Sequence, residues 1–328
     1  MFSMGSEPYS SVATRINGGD GWDACPVCGA NGKVRYPALI DHWFGSPGRW
    51  RMLGCPDAGC GALWLAPPPS SAELAAAYSN YYTHSPTSDE AGSPWPFASR
   101  LKRVMGVERR RRRIYLMYLE AATPGRLLDV GCGNGDRLLH FENLGWEVEG
   151  QEVDPEAQLI ASSRGLKVHL GDLPSLGLGA GRYDAIILNH VVEHLSDAPA
   201  VLRECRRLLA PGGRLVVVTP NAASFGHRLF RSAWRGLEPP RHLVIHTRRS
   251  LETLCRMCGF SDVEAFCDSA NATFFYTTSL GARDVGRRVT LLQVRLRSII
   301  AWGLSLLAQA LGSFNPHLGE EIVVIGRP

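Results

Sequence analysis

The nine residues from Leu127 to Gly135, LLDVGCGNG, constrain this chain more than any other stretch. An apolar strand runs directly into a turn carrying Gly131, Gly133 and Gly135, with Asp129 just ahead of it. Glycine tolerates positive φ and lets a ligand approach the backbone closely. The following segment, Asp136 to Leu144, has apolar residues at helical spacing, so the turn opens onto a helix N-terminus. Strand, glycine turn and helix in this order form the ligand-binding corner of a doubly wound α/β sheet. The spacing is not the G-x-G-x-x-G of a dinucleotide site, where a pyrophosphate lies on the helix N-terminus. An acid ahead of the turn repels a pyrophosphate and suits a ligand with a cationic amine.

The pieces that follow come in a recognisable order. Residues 146–150 read as a second strand, ending near Glu152, which stands 21 residues after Gly131, where an acid can grip ribose hydroxyls; Asp154 is the alternative. Val168 to Leu170 reads as a third strand followed by Asp172, and Tyr183 to Leu188 as a fourth, continuously apolar as buried parallel strands are. A helix over Leu202 to Leu209 stops at Pro211, and Arg214 to Thr219 gives a fifth strand. Over roughly 123–265 the ordered set resembles the class I S-adenosylmethionine (SAM)-dependent methyltransferases. That resemblance implies a doubly wound, Rossmann-like seven-stranded α/β sheet and SAM as cofactor. It implies cofactor contacts from Asp129, Gly131, Gly133, Glu152, Asp172 and Asn189.

Composition is that of a soluble globular chain: 328 residues, 45% apolar, 20% charged and a net charge of +4, too mild to argue for nucleic acid. Residues 1–20 are polar, and we expect a disordered tail without a secretory signal. The nine cysteines are then expected to be reduced and the protein cytoplasmic.

Four cysteines have a different use. Cys25 and Cys28 form one pair and Cys55 and Cys60 another, each pair ending in Cys-Gly. Four thiolates around one ion make a closed, structural zinc site. Val34 to Tyr36 and Trp50 to Leu53 are expected ribbon strands, and Ser71 to Tyr78 a helix followed by Tyr81 and Tyr82. This order is similar to a bacterial methyltransferase subgroup with an N-terminal zinc ribbon, linked to sugar, polysaccharide or natural-product tailoring. Thr83 to Pro96 reads as a linker or mobile lid, and Leu101 to Glu120 as a helix carrying the basic run Arg109 to Arg113. The expected organisation is a tail (1–20), a zinc ribbon (21–70), a helical connector (71–122) and a catalytic domain (123–328) with a helical insertion at about 272–318.

The chemistry is expected in the loops after the fourth and fifth strands. His190, Glu193 and His194 fall at i, i+3 and i+4, one helical face, and His242 follows the Pro239-Pro240-Arg241 stretch. Three readings are open. A histidine acts as general base toward an acceptor hydroxyl, His242 first and His194 second. Alternatively Glu193, His194 and His242, with His190, bind a divalent metal. That set is similar to the metal site of small-RNA 2′-O-methyltransferases and to the matching loop of ubiquinone-type O-methyltransferases. Or the residues only cap and pair. His246, and Cys255 with Cys258, read as structural, and Cys132 as a small residue in a tight turn.

Val263 to Cys267 and Glu321 to Ile325 read as the last two strands, separated by about 50 residues. Between them Val289 to Leu311 is expected to be helical; its uninterrupted apolar part, Ile299 to Leu311, is too short to span a bilayer. It packs on the core, covers the acceptor site, forms a dimer interface or lies at the inner membrane face with Arg287, Arg288, Arg295 and Arg297 near headgroups. The expected reaction is methyl transfer to a hydroxyl of a small-molecule acceptor, a sugar or glycan precursor. A quinone or phenol, with a pocket near Phe225, Phe230 and Trp234, is the alternative, and a non-catalytic scaffold using the ribbon is a rival of another class. A nucleic-acid partner is disfavoured, since Asn189 is followed by His-Val-Val rather than Pro-Pro-aromatic. Oligomeric state is left open.

Overall fold

The computed structural model describes residues 21–79, 107–282 and 290–328. The expected tail, the Tyr81–Tyr82 pair, the linker, the start of the basic helix, Arg287 and Arg288 lie outside the described residues.

Two sheets organise the fold. The larger has seven strands: β4 (Arg126–Val130), β5 (Glu147–Glu152), β6 (Val168–Leu170), β7 (Tyr183–Asn189), β8 (Leu209–Pro220), β10 (Asp262–Asp268) and β11 (Glu321–Arg327). Their spatial order is β10-β11-β8-β7-β4-β5-β6. The five from β4 to β8 run parallel, while β11 lies antiparallel to both β8 and β10. The chain leaves β4 toward β5 and β6, then returns to the other side of β4 with β7. The crevice at the carboxyl ends of β4 and β7 is therefore the switch point where such sheets hold ligands.

Burial on both faces explains the apolar runs. Ala185 to Leu188 and Leu215 to Val218 are within 0% of exposure, and apolar clusters cover the two faces of the sheet. The helix before β10 spans Arg248–Met257 and buries Leu251, Leu254 and Cys255, and Cys258 just beyond it is buried too, so the Cys255–Cys258 pair is packing, as expected.

The smaller sheet contains β1 (Lys33–Leu39), β2 (Trp50–Gly54), β3 (Leu63–Leu65) and β9 (Val244–Ile245) in that order. The last strand comes from the loop after β8, and pairs Ile245 with Leu63 and Val244 with Trp64. The ribbon is thus bonded into the catalytic half of the chain. A third apolar cluster seals the junction with Leu39, Trp50, Leu65, Leu74, Trp234 and Ile245.

Several expected elements are corrected. The basic helix is Val107–Tyr115 within the described residues and does not reach Glu120. Met117 and Tyr118 turn out of it at φ 46° and 54° and bury their side chains under the sheet. The helix before β8 starts at Ala198, three turns long, because Asp197 caps it by accepting from Ala200 N. His190, Glu193 and His194 do not share a helix face: His190 is left-handed, with φ 55°, and only Val192–His194 form a 3-10 turn. Finally, the C-terminal helix runs Leu291–Phe314, displaced by two or three residues from the expected Val289 to Leu311. Its stretch Leu291–Gly312 has mean hydropathy 1.3 and is, by length and composition, long and apolar enough to cross a membrane. Only one stripe of it packs on the core, against the preceding helix Ala272–Gly281.

Candidate active site

The glycine loop after β4 is built for close approach. Gly131, Gly133 and Gly135 have φ of 69°, 56° and 82°. Each glycine has its own reason. A Cβ on Gly131 would stand 2.7 Å from Val191 Cγ2, across the crevice in the loop after β7. One on Gly135 would stand 2.4 Å from Leu166 Cδ1. One on Gly133 would meet nothing within 4 Å, so this residue faces open space where a ligand can lie.

Two acids flank this space. Glu152 ends β5, is buried, and accepts from Gly133 N (2.8 Å), Val153 N (2.8 Å) and Asp154 N (3.0 Å). Burial raises its pKa against the pull of those N–H groups. Asp154, the alternative ribose acid, caps the helix Pro155–Ser163 by accepting from Glu156 N and Ala157 N. Of the two, Glu152 is the acid bonded to the glycine loop, through Gly133 N. Burial pushes the Asp129 carboxyl up to about 7, with Arg137 opposing and Glu152 adding to the shift. A cationic ligand group beside these acids would restore their charge. Asp172 stands exposed after β6, makes no side-chain capping bond, and Asn189 ends β7 at the switch point. Cys132 is buried within the loop, its thiol pushed up chiefly by burial, as fits a packing residue.

The histidines gather beyond β7, in two environments. His190 lies between carboxylates, with Nε2 2.8 Å from Glu321 Oε1 and Nδ1 3.3 Å from Glu193 Oε1. Burial alone would neutralise the ring, but the two acids outweigh it and raise its pKa to about 10. It is an imidazolium at neutral pH and has no lone pair for base catalysis. His194 and His242 are the opposite case. Their rings stand 4.7 Å apart, and burial lowers both pKa values. His194 Nδ1 is 3.1 Å from Arg241 O and 2.9 Å from Tyr78 Oη, and His242 Nδ1 is 2.8 Å from Gly236 O. A carbonyl only accepts, so the network assigns the proton to Nδ1 in each ring and the lone pair to Nε2. His194 is partly exposed while His242 is buried.

Glu193 completes the group. It is fully buried, and Oε2 accepts from Thr219 Oγ1 at 2.9 Å. Oε1 is buried and meets His190 Nδ1 only as the 3.3 Å ion-pair contact, without hydrogen-bond geometry. Burial opposes its charge, yet His190 holds the carboxyl down at about 2. Glu193, His194 and His242 each offer a ligand atom within 4.8 Å of the others, so the set fits a cation. Two imidazoles whose Nδ1–H groups are tied to carbonyls have the outer-shell arrangement that metal-binding histidines use.

The ribbon cysteines also converge. Cys25 Sγ and Cys60 Sγ are 3.6 Å apart, Cys28 Sγ and Cys55 Sγ 3.4 Å, and all four lie within 4.8 Å of one another. All are free thiols. Four sulfurs about 2.3 Å from one ion would stand about 3.8 Å apart in a tetrahedron. The observed spacing is close to that and far from a disulfide bond of about 2.05 Å. The four residues therefore fit a tetrahedral metal.

Residues 102–265, half of the chain, match the profile of a family described as a methyltransferase domain. The chain belongs to that family. It is a class I SAM-dependent methyltransferase with a Rossmann-like sheet. This methyltransferase is 32% identical over 182 residues to a ubiquinone biosynthesis O-methyltransferase of Cereibacter sphaeroides, a match covering 52% of this chain and 73% of the relative. It is 28% identical over 171 residues to norajmaline N-methyltransferase of Rauvolfia serpentina, covering 49% of this chain and 53% of that protein. Among solved structures, a SAM-dependent methyltransferase from Archaeoglobus fulgidus aligns with TM-score 0.45 and 17% identity, over 71% of this chain and all of that one.

Sequence reasoning missed four residues of the site. Glu321 holds His190 from the start of β11, Tyr78 reaches His194 from the helix Ser71–Tyr78, and Asp41 with Glu238 fixes Arg241, whose carbonyl anchors His194. The acid pair Glu320–Glu321 at the mouth of an apolar strand was a legible signal; the other three have none in sequence. Of the expected pocket aromatics, Trp234 is fully buried and Phe225 and Phe230 pack beside it in the apolar cluster.

Proposed function

We propose that this methyltransferase moves the SAM methyl group to a hydroxyl of a small aromatic acceptor, of the phenol or quinol kind. The observation that carries this reading is the convergence of two neutral imidazoles, His194 and His242, with the Glu193 carboxylate beyond the end of β7. The sulfonium methyl needs no activation, so the protein must align the acceptor and take its proton. His194, the more exposed of the two rings, takes the proton, and His242 and Glu193 back it. His190 remains charged, held by Glu193 and Glu321, and orders the loop. Asp129, Gly131, Gly133, Glu152, Asp172 and Asn189 hold the cofactor, with Glu152 turning from Gly133 N to the ribose.

Basicity and surroundings support this acceptor class. A buried imidazole of lowered pKa is a weak base, better matched to a phenol, with a pKa of about 10 like tyrosine, than to a sugar alcohol. Phe275, buried in the adjoining apolar cluster, stands 6.5 Å from the His190 ring and makes that side of the loop apolar. The ubiquinone-pathway relative acts in the same sense. A sugar hydroxyl, the first expectation from the ribbon, remains the competing acceptor.

One observation favours a second reading of the same site. The buried Glu193 Oε1 has an ion-pair contact to His190 Nδ1 at 3.3 Å but no hydrogen bond of proper geometry. A divalent ion held by Glu193, His194 and His242 would satisfy that atom and would acidify an acceptor hydroxyl. The ribbon cysteines Cys25, Cys28, Cys55 and Cys60 hold structural zinc in either case.

An acceptor screen with labelled SAM tests the proposal, using hydroxylated benzoates, catechols and quinols beside nucleotide sugars. Turnover of the phenols, lost in His194→Ala and kept after chelation, supports the base reading. Loss on chelation and rescue by an added divalent ion supports the metal. Turnover of nucleotide sugars alone overturns the acceptor class.

A further inference from the structure

The C-terminal helix Leu291–Phe314 has its large and small residues on the wrong sides for a helix in water. The residues it buries, on the side of the helix Ala272–Gly281, are Ala301, Ser305, Ala308 and Gln309, with Leu304 packed at their edge. Its outer stripe carries Leu292, Leu296, Ile299, Ile300, Leu307 and Phe314, which are 43–88% exposed, and at the start of the helix Leu291 and Val294, off this stripe, are exposed as well. The stripe positions recur at i, i+4, i+7 and i+8, so they form one continuous face. A helix in water places its bulky apolar residues against the core and its polar ones outside. Small residues at the helix contact and bulky ones outward are what a helix shows when its surroundings are themselves apolar. Over Leu291–Gly312 only 17% of the most apolar window is buried.

Charge decides between the two possible occupants. The helix contains no Asp or Glu, and its charged residues are Arg295 and Arg297. At 3.6 residues per turn these two fall on opposite flanks of the outer stripe. A second copy of this helix would offer Arg295 and Arg297 no acid to pair with. The centre of the seam would also fall on Gly303 and Ala310, which supply no knobs for helix pairing. A bilayer surface with anionic headgroups complements both features: acyl chains meet the Leu/Ile stripe and headgroup phosphates meet the flanking arginines.

We propose that this helix lies in the surface of an anionic membrane, its outer stripe among the acyl chains, and brings the catalytic crevice to a lipid-dissolved acceptor. This deepens the phenol or quinol reading and rests on it for the identity of the cargo. The path is short. The helix packs on Ala272–Gly281, and Phe275 of that element lies 6.5 Å from the His190 ring. The catalytic loop is therefore one helix layer from the lipid-facing stripe.

Vesicle co-sedimentation of the full chain tests this without reference to any acceptor, so its failure and that of the acceptor screen are separate results. The probes are phosphatidylcholine vesicles with and without about one third phosphatidylglycerol. Wild type is expected to sediment with the anionic vesicles and to lose at least tenfold in partitioning as Leu292→Gln/Leu296→Gln/Ile299→Gln, with thermal midpoint and S-adenosylhomocysteine binding unchanged. Arg295→Gln/Arg297→Gln is expected to erase the preference for anionic over neutral vesicles. No partitioning of wild type overturns the proposal, and so does equal partitioning of the triple variant. A concentration-dependent dimer in sedimentation velocity that the triple variant abolishes would assign the face to a second copy and overturn it as well.

Discussion

Asp41→Asn probes how the ribbon holds the catalytic loop. Asp41 lies in the loop between β1 and β2, with its side chain fully buried. Oδ1 accepts from Trp43 N and Phe44 N, and Oδ2 accepts from Ser46 N and, at 2.7 Å, from Arg241 Nη2. Arg241 is itself fully buried, is also paired with Glu238 at 3.0 Å, and donates to Ala77 O. Removing one partner of a buried ion pair costs about 3–5 kcal/mol. The retained Glu238 places this case near the lower end. At about 2.1 cal/mol/K per residue, unfolding 328 residues carries roughly 0.7 kcal/mol/K, so the midpoint should fall by about 4–7 °C. Scanning fluorimetry at neutral pH reads this directly. The pH dependence carries a sign. Burial opposes the Asp41 charge, but Arg241 and the loop N–H groups hold its pKa below the usual value. Its contribution is therefore complete above the unfolded pKa of about 3.9 and is lost as pH falls through the folded value. The gap between wild type and Asp41→Asn should close in that acid window. Because the Arg241 carbonyl anchors His194 Nδ1, turnover should fall as well. A midpoint within about 1 °C of wild type at pH 7 would refute the reasoning.

Further outcomes follow from the same geometry. With the Asp129 carboxyl raised to about 7 by burial, the deprotonated form that suits a cationic ligand is depleted below that pH. Cofactor affinity should therefore weaken as pH falls from 8 to 6, by up to about tenfold per unit below the pKa, and a flat calorimetric profile would contradict this. Gly135→Ala forces a side chain onto φ 82° and 2.4 Å from Leu166 Cδ1, and should destabilise the fold by about 1–3 kcal/mol in urea titrations. Cys60→Ser should lower bound zinc, read by elemental analysis, from about one equivalent toward none. Full retention in that variant would show that the four thiols are not the ligands.

What was legible in the sequence was the part set by local rules. Leu127 to Gly135 reads as strand, turn and helix start because its glycines take conformations other residues avoid, and they do so in the structure. The seven-stranded sheet was implied by the family resemblance that the ordered strands carry, since a strand such as Glu147–Glu152 has no apolar run of its own. The site was legible as a list of residues but not as an arrangement. His190, Glu193 and His194 have helical spacing, yet a left-handed His190 breaks the helix and turns its ring to Glu321, 131 positions away. Such a pairing leaves no periodic trace. The two-residue strand Val244–Ile245 is equally silent, since it exists only by pairing with Leu63 and Trp64. The C-terminal helix was legible almost to its ends, but its apolar part was read as only Ile299 to Leu311 because Arg295 and Arg297 interrupt the run; in the helix they fall on the flanks of the stripe.

The most direct test of the account is calorimetric titration of S-adenosylhomocysteine into wild type and Glu152→Ala at pH 8. The geometry around Gly133 and Glu152 predicts binding to wild type and at least a tenfold weaker constant in the variant, about 1.4 kcal/mol. Equal affinity of the two proteins would contradict the placement of the ribose at Glu152. Absence of binding to folded wild type would contradict the cofactor site itself.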